Sequence, residues 1–84
     1  MRFSLQIKAS AAKALAAIPA EDRERVVSAI DRLGDEPHAG SVLKGEFTGL
    51  RRVRIGDYRV IYEVTCETLV VLVVRIAHRR QAYR

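Results

Sequence analysis

The dipeptide Gly56-Asp57, set between two runs of alternating side chains, constrains the fold of this chain more than any other feature. Leu50 to Ile55 and Tyr58 to Val64 flank it, and two such runs joined by a two-residue Gly-Asp loop read as a tight β-hairpin. The loop length fixes the pairing: Ile55 opposes Tyr58, Arg54 opposes Arg59, and Val53 opposes Val60. Because strand side chains alternate, Val53, Ile55, Tyr58 and Val60 then share the core face, and Arg52, Arg54 and Arg59 share the other. Like charges placed directly opposite one another cost a sheet up to about 1 kcal/mol. Three arginines clustered in this way ask for a reason outside folding.

The other elements follow from periodicity and punctuation. Phe3, Leu5 and Ile7 alternate with polar residues from Arg2 to Lys8, the pattern of a half-buried strand. Ser10 is placed to cap a short helix from Ala11 to Ile18, in which Ala11, Leu15 and Ile18 share a face and which Pro19 ends. A second helix is expected over Ala20 to Leu33. Glu21, Asp22 and Glu24 favour its positive end, Val26, Ile30 and Leu33 form its apolar stripe, and Gly34 and Pro37 stop it. Asp35 to Thr48 reads as a connection with a short strand near Leu43. After a turn at Thr65-Cys66-Glu67-Thr68, Leu69 to Ile76 reads as an apolar central strand covered on both sides. The expected fold class is α+β: two N-terminal helices packed on a small antiparallel sheet, in the order β-α-α-β-β-β. With 84 residues, a single domain over 1–84 is the expected organisation.

Charge is distributed unevenly along the chain. Residues 1 to 41 hold six Lys/Arg and six Asp/Glu, whereas 42 to 84 hold nine and four, so the second half carries the whole net charge of +5. Such one-sided basicity points to a polyanionic partner, either nucleic acid or an acidic polypeptide. The lone Cys66 forms no intramolecular disulfide and no secretory signal precedes Arg2 to Lys8, so a reducing cytoplasm is the expected setting. Leu69 to Val74, the longest strongly apolar run, is too short to span a bilayer, and no membrane role is expected.

A basic hairpin by itself is most simply a solvated face, neutralised here by Glu46, Glu63 or Glu67. The C-terminal segment adds to it: His78-Arg79-Arg80-Gln81-Ala82-Tyr83 leaves the last strand beside the hairpin. Arginines with an interleaved aromatic suit gripping a phosphate and stacking a base. Leu43-Lys44-Gly45, the segment Arg52 to Glu63 with its Gly56-Asp57-Tyr58-Arg59, and Arg75 to Tyr83 together resemble the RelE/ParE superfamily of toxin-antitoxin toxins, the RelE branch in particular. The rest of the chain resembles that family in its order of elements.

That resemblance implies a RelE-like fold and an mRNA interferase, a metal-independent endoribonuclease without cofactors. Such a toxin enters the ribosomal A site and makes the message's own 2′-hydroxyl attack the adjacent phosphate, stopping translation. It implies catalytic roles for Arg52, Arg54, Arg59, Arg79 and Tyr83, and RNA contacts from Lys44, Arg52, Arg54, His78 and Arg80. Arg59 and Arg79 suit the stabilisation of a pentacoordinate phosphate, since guanidinium forks stay charged and clamp phosphate oxygens. Tyr83 suits stacking on a base or orienting the 2′-hydroxyl. Arg52 and Arg54 stand where some relatives carry lysine, and arginine does not give up its proton. The general base is therefore open between Lys44, His78, the RNA and the ribosome.

The implied partners are mRNA on the ribosome and a cognate antitoxin, whose acidic segment folds on the basic face to give a hetero-oligomer. Two alternatives share the fold: a ParE-like gyrase poison, and a catalytically silent RNA- or antitoxin-binding module. Metal and triad chemistries lack their residues, because Cys66, His38 and His78 have no ligand spacing and no Ser-His-Asp set or Gly-rich phosphate loop is present.

Overall fold

The computed structural model describes residues 2–80. Strand β1 (Ser4–Ile7) leads into helices α1 (Ala9–Ala16) and α2 (Ala20–Leu33), followed by strands β2 (Ser41–Val42), β3 (Arg51–Ile55), β4 (Tyr58–Thr65) and β5 (Val70–His78). The expected order of elements is found, and the short strand near Leu43 lies at Ser41–Val42. The five strands form one sheet in the order β1-β5-β4-β3-β2. No helix among the described residues is long and apolar enough to cross a membrane.

The sheet is mixed rather than antiparallel, because β1 runs parallel to β5, with Leu5 opposite Val71 and Ile7 opposite Val73. Alternation defines a strand's faces but not its direction. A wide helical crossover separates β1 from its partner and frees it from the reversal that a hairpin imposes. The start of α1 also differs from expectation. Lys8 still donates its N–H to Val73 O at 2.9 Å, so the parallel ladder runs to Lys8 and the helix begins at once on Ala9. Ser10 therefore sits inside the first turn, and no side chain caps this helix. At the other end Arg23 Nη1 donates to Ala16 O and Ile18 O at 3.2 and 3.4 Å, satisfying carbonyls that the helix leaves open.

Both helices cover one face of the sheet. Val26, Ile30 and Leu33 of α2 and Ala11 and Ile18 around α1 pack with Val60, Tyr62, Val71, Val73 and Ile76 in a single core. The other face carries no helix, so β5 is not covered on both sides as expected; its outward Val70 and Leu72 stay half-buried. Leu69 lies outside β5, since its φ of 55° takes it off the extended path.

Tyr62 ties the connection after α2 to the sheet. Its ring is fully buried, and its hydroxyl donates to Pro37 O and accepts from Gly40 N–H, both at 2.9 Å. Arg51 Nη1 donates to Gly40 O at 2.9 Å and to His38 O at 3.3 Å, closing the same loop from the neighbouring strand. Only glycine fits at position 40, because a Cβ there would lie 2.6 Å from the Tyr62 hydroxyl and 2.7 Å from Arg52 O. Tyr62→Phe leaves the Gly40 N–H and Pro37 carbonyl without that partner, and urea unfolding should register a loss of about 1–3 kcal/mol. Burial pushes the Tyr62 phenol above its ordinary value, against smaller opposing effects of the Gly40 N–H and of Arg51. A raised folded-state value means that the native protein holds this proton more tightly than the unfolded chain. Its contribution is present below the unfolded phenol's pKa of about 10 and is lost as pH climbs beyond it. Tyr62→Phe should flatten that alkaline limb in melts between neutral and strongly basic pH.

Candidate functional site

The hairpin has the expected register: Ile55 pairs with Tyr58, Arg54 with Arg59, Val53 with Val60, and Arg52 with Ile61. Gly56 has a φ of 57° while Asp57 does not enter the positive-φ region, the pattern of a type II′ turn with glycine at its first central position. The alternation places Val53, Ile55 and Tyr58 against the core and turns Arg52, Arg54 and Arg59 to the helix-free face.

Strand β5 brings a fourth arginine to that face by an irregularity. Its pairing with β4 runs Val64 to Val71 and Tyr62 to Val73, then slips by one, so that Ile61 pairs with Arg75, Val60 with Ile76, and Arg59 with Ala77. Val74 is the extra residue of this bulge. Strict alternation from Val71 and Val73 would carry Arg75 into the core beneath the helices; the bulge instead seats Ile76 there and turns Arg75 outward. Arg75 was not among the site residues expected from the sequence. A charged residue at a core phase of an otherwise apolar strand is the signal that locates such a slip. Arg79 keeps the phase of Arg75 and Ala77 and so arrives beside Arg59.

At the hairpin tip Arg79 N–H donates to Asp57 O at 2.6 Å, and Arg79 Nη1 lies 3.8 Å from Asp57 Oδ1. Arg59 Nη1 reaches Arg79 O at 3.5 Å. Arg54, Gly56, Asp57, Tyr58, Arg59 and Arg79 line a cleft of about 170 Å³. Arg54, Arg59 and Arg79 bring three permanently charged guanidinium groups to its lining beside the carboxylate of Asp57, a composition suited to an anion.

Not every expected residue gathers there. Arg52 is on the same face but one step farther from the tip. His78 pairs with Tyr58 on the helix side, its ring edge-on to that of Tyr58 at 5.3 Å, and lines a separate groove with Ala14, Ala17, Ile18 and Ile76. Arg80 is exposed and donates its N–H to His78 Nδ1 at 3.3 Å. Lys44 is exposed in the connection between β2 and the 3₁₀ turn Gly45–Phe47 and does not line the cleft. Tyr83 lies outside the described residues. Among the described residues, no group of three or more His, Cys, Asp or Glu is arranged to hold a metal ion.

A family model described as the ParE toxin of type II toxin-antitoxin systems, parDE, matches residues 5–83. A search of the curated proteins finds no match. In fold the chain is similar to a chain of the RelBE2 toxin-antitoxin complex of Mycobacterium tuberculosis, at 28% identity and a TM-score of 0.86, covering 94% of this chain and 100% of that one. It is similar to a chain of the archaeal RelE-RelB complex of Pyrococcus horikoshii OT3 at 34% identity and a TM-score of 0.78, covering 98% and 100%. A YoeB/ParE toxin from Agrobacterium tumefaciens shares the fold at 20% identity and a TM-score of 0.77, covering 89% and 96%.

Proposed function

This chain belongs to the ParE toxin family, within the RelE/ParE superfamily of type II toxin-antitoxin toxins, and we propose that it acts as a ribosome-dependent endoribonuclease of the RelE kind. The observation that carries this reading is the cleft at the hairpin tip, where Arg54, Arg59 and Arg79 converge. In the proposed reaction the 2′-hydroxyl of the message loses its proton and its oxygen attacks the adjacent phosphorus. The bond from phosphorus to the 5′-oxygen breaks and that oxygen takes up a proton. The products are a 2′,3′-cyclic phosphate and a 5′-hydroxyl end. Charge on the equatorial oxygens is greatest in the pentacoordinate state, and guanidinium donors fixed in advance stabilise that state more than the starting diester.

The cleft supplies phosphate stabilisation, and its one carboxylate, Asp57, is assigned to holding Arg79 rather than to taking a proton. Lys44 and His78 line other parts of the surface, so the ribosome and the message carry proton transfer and alignment in this account. Dependence on the ribosome follows from that division of labour. Tyr83 is assigned to stacking on a base of the A-site codon, and Arg52 and Arg80 to phosphates beside the scissile one. The cellular setting is the cytoplasm, where translating ribosomes are found.

The partner proposed for the free toxin is an antitoxin whose acidic segment covers the arginine face, in a toxin-antitoxin hetero-oligomer; the M. tuberculosis and P. horikoshii structures are themselves complexes of this kind. A second reading, gyrase poisoning, is favoured by the description of the matching family model. The two separate in one paired assay of the purified toxin, with supercoiling by gyrase in one arm and a ribosome-bound message in the other. Cut message with unimpaired supercoiling is the expected result. Intact message with inhibited supercoiling establishes the second reading instead.

A further inference from the structure

We infer that His78 is a positioning residue for Arg79: its ring, seated in the groove beside α1, holds the turn of backbone that delivers the Arg79 guanidinium to the hairpin cleft. The inference rests on the nuclease reading of that cleft. Beyond β5 the chain turns at Arg79 and Arg80, and three neighbouring main-chain groups of that turn are tied. Arg79 N–H donates to Asp57 O at 2.6 Å, Arg79 O accepts from Arg59 Nη1 at 3.5 Å, and Arg80 N–H donates to His78 Nδ1 at 3.3 Å. The first two ties come from the hairpin. The third closes on the strand's own last side chain, an i to i+2 contact of the kind that asparagine makes in an Asx turn. Acceptance at Nδ1 requires the ring proton to stand on Nε2. The ring is fixed by packing: it meets the Tyr58 ring edge-on at 5.3 Å and shares its groove with Ala14, Ala17, Ile18 and Ile76. The Arg79 side chain is 63% exposed and its pairing with Asp57 is long, at 3.8 Å, so the path of its main chain sets where its fork points. A group displaced by about 1 Å from its place in a catalytic arrangement can cost about 10² in rate.

Three other roles for His78 compete with this one: filling the groove, taking a proton as general base, and touching the RNA. Two substitutions separate them. His78→Phe keeps a planar ring against Tyr58 and removes the acceptor. His78→Asn gives up the imidazole but keeps an acceptor within reach of the N–H two residues on.

The test measures message cleavage on ribosomes by wild type, His78→Phe, His78→Asn, Arg79→Ala and the combination of His78→Phe with Arg79→Ala, with circular dichroism to check that each is folded. His78→Phe should lower kcat about tenfold and leave KM within about twofold, since a displaced fork is missed more by the pentacoordinate state than by the bound message. His78→Asn should keep most of the wild-type rate. In the Arg79→Ala background His78→Phe should cost nothing further, the non-additivity expected of a residue that acts through another. Exchange of the Arg80 amide proton, followed by NMR on the free protein, should quicken in His78→Phe and not in His78→Asn. Wild-type cutting by His78→Phe with loss in His78→Asn means that the ring only fills the groove. Equal losses in both make it the base, a raised KM that persists without Arg79 makes it an RNA contact, and equal amide exchange in both removes the tie. Each of these overturns the positioning role while leaving the nuclease reading in place. Wild type that cuts no message defeats that reading itself, and the positioning role with it.

Discussion

Arg59→Ala is expected to lower the rate of message cleavage on ribosomes by about 10²–10³, the loss seen when one donor to a developing anion is removed from a prearranged site. The protein should remain folded. Arg59 is directly opposite Arg54, and removing one of two facing like charges relieves a repulsion. Its bond to Arg79 O is long, at 3.5 Å, and lies at the exposed tip, so little stability goes with it. Circular dichroism and a thermal melt of the variant should match wild type or lie slightly above it. Arg59→Lys keeps a charge without the planar fork and should recover only part of the rate. If Arg59→Ala unfolds, the arginine is part of the scaffold and the assignment of the cleft falls with it.

Ile30→Ala has the opposite character. Ile30 lies on the buried stripe of α2 at 4% exposure, packed within the core formed with β4 and β5. Truncation removes three carbons and leaves a cavity that neighbouring elements fill only in part, a loss of about 2–5 kcal/mol. A domain this small holds only a few kcal/mol of net stability, so the variant should be largely unfolded at physiological temperature. Urea denaturation at low temperature, where some native protein persists, gives the magnitude. A midpoint within error of wild type would mean that α2 does not anchor the sheet as described.

These two substitutions divide the molecule as its sequence does. The apolar period of α2 and its flanking Pro19 and Gly34 give bounds that the structure reproduces at Ala20 and Leu33. The Gly56-Asp57 loop gives the hairpin register residue for residue, because two-residue turns leave no freedom in pairing. What was not legible depends on contacts between distant segments. The direction of β1 is set by its docking beside β5 after the helical crossover, and nothing local to residues 4–7 encodes it. The start of α1 is set by the same ladder, which overrides the capping preference of Ser10.

The candidate site shows the same division. Arg52, Arg54 and Arg59 were placed by alternation alone, whereas Arg75 and Arg79 share their face only because Val74 is accommodated as a bulge. Strict period two across β5 would put Arg75 in the core, and the bulge marks where the chain departs from that rule. His78 follows the same shifted phase to the helix side, edge-on to Tyr58. Alternation puts Tyr62 on the core face of β4, but its hydroxyl reaches the loop at Pro37 and Gly40, a contact across more than twenty residues that no local pattern announces.

In the proposed mechanism the arginine cleft stabilises attack by the message's own 2′-hydroxyl while the ribosome holds the strand. The most direct measurement places an end-labelled message with a single 2′-deoxynucleotide on the 5′ side of the cut in the A site of translating bacterial ribosomes, beside an all-ribose control, and maps cleavage by the wild-type protein. The control should be cut to a 2′,3′-cyclic phosphate end only on ribosomes, and the deoxy message should stay intact. Equal cutting of both messages, or cutting of neither, would contradict this mechanism.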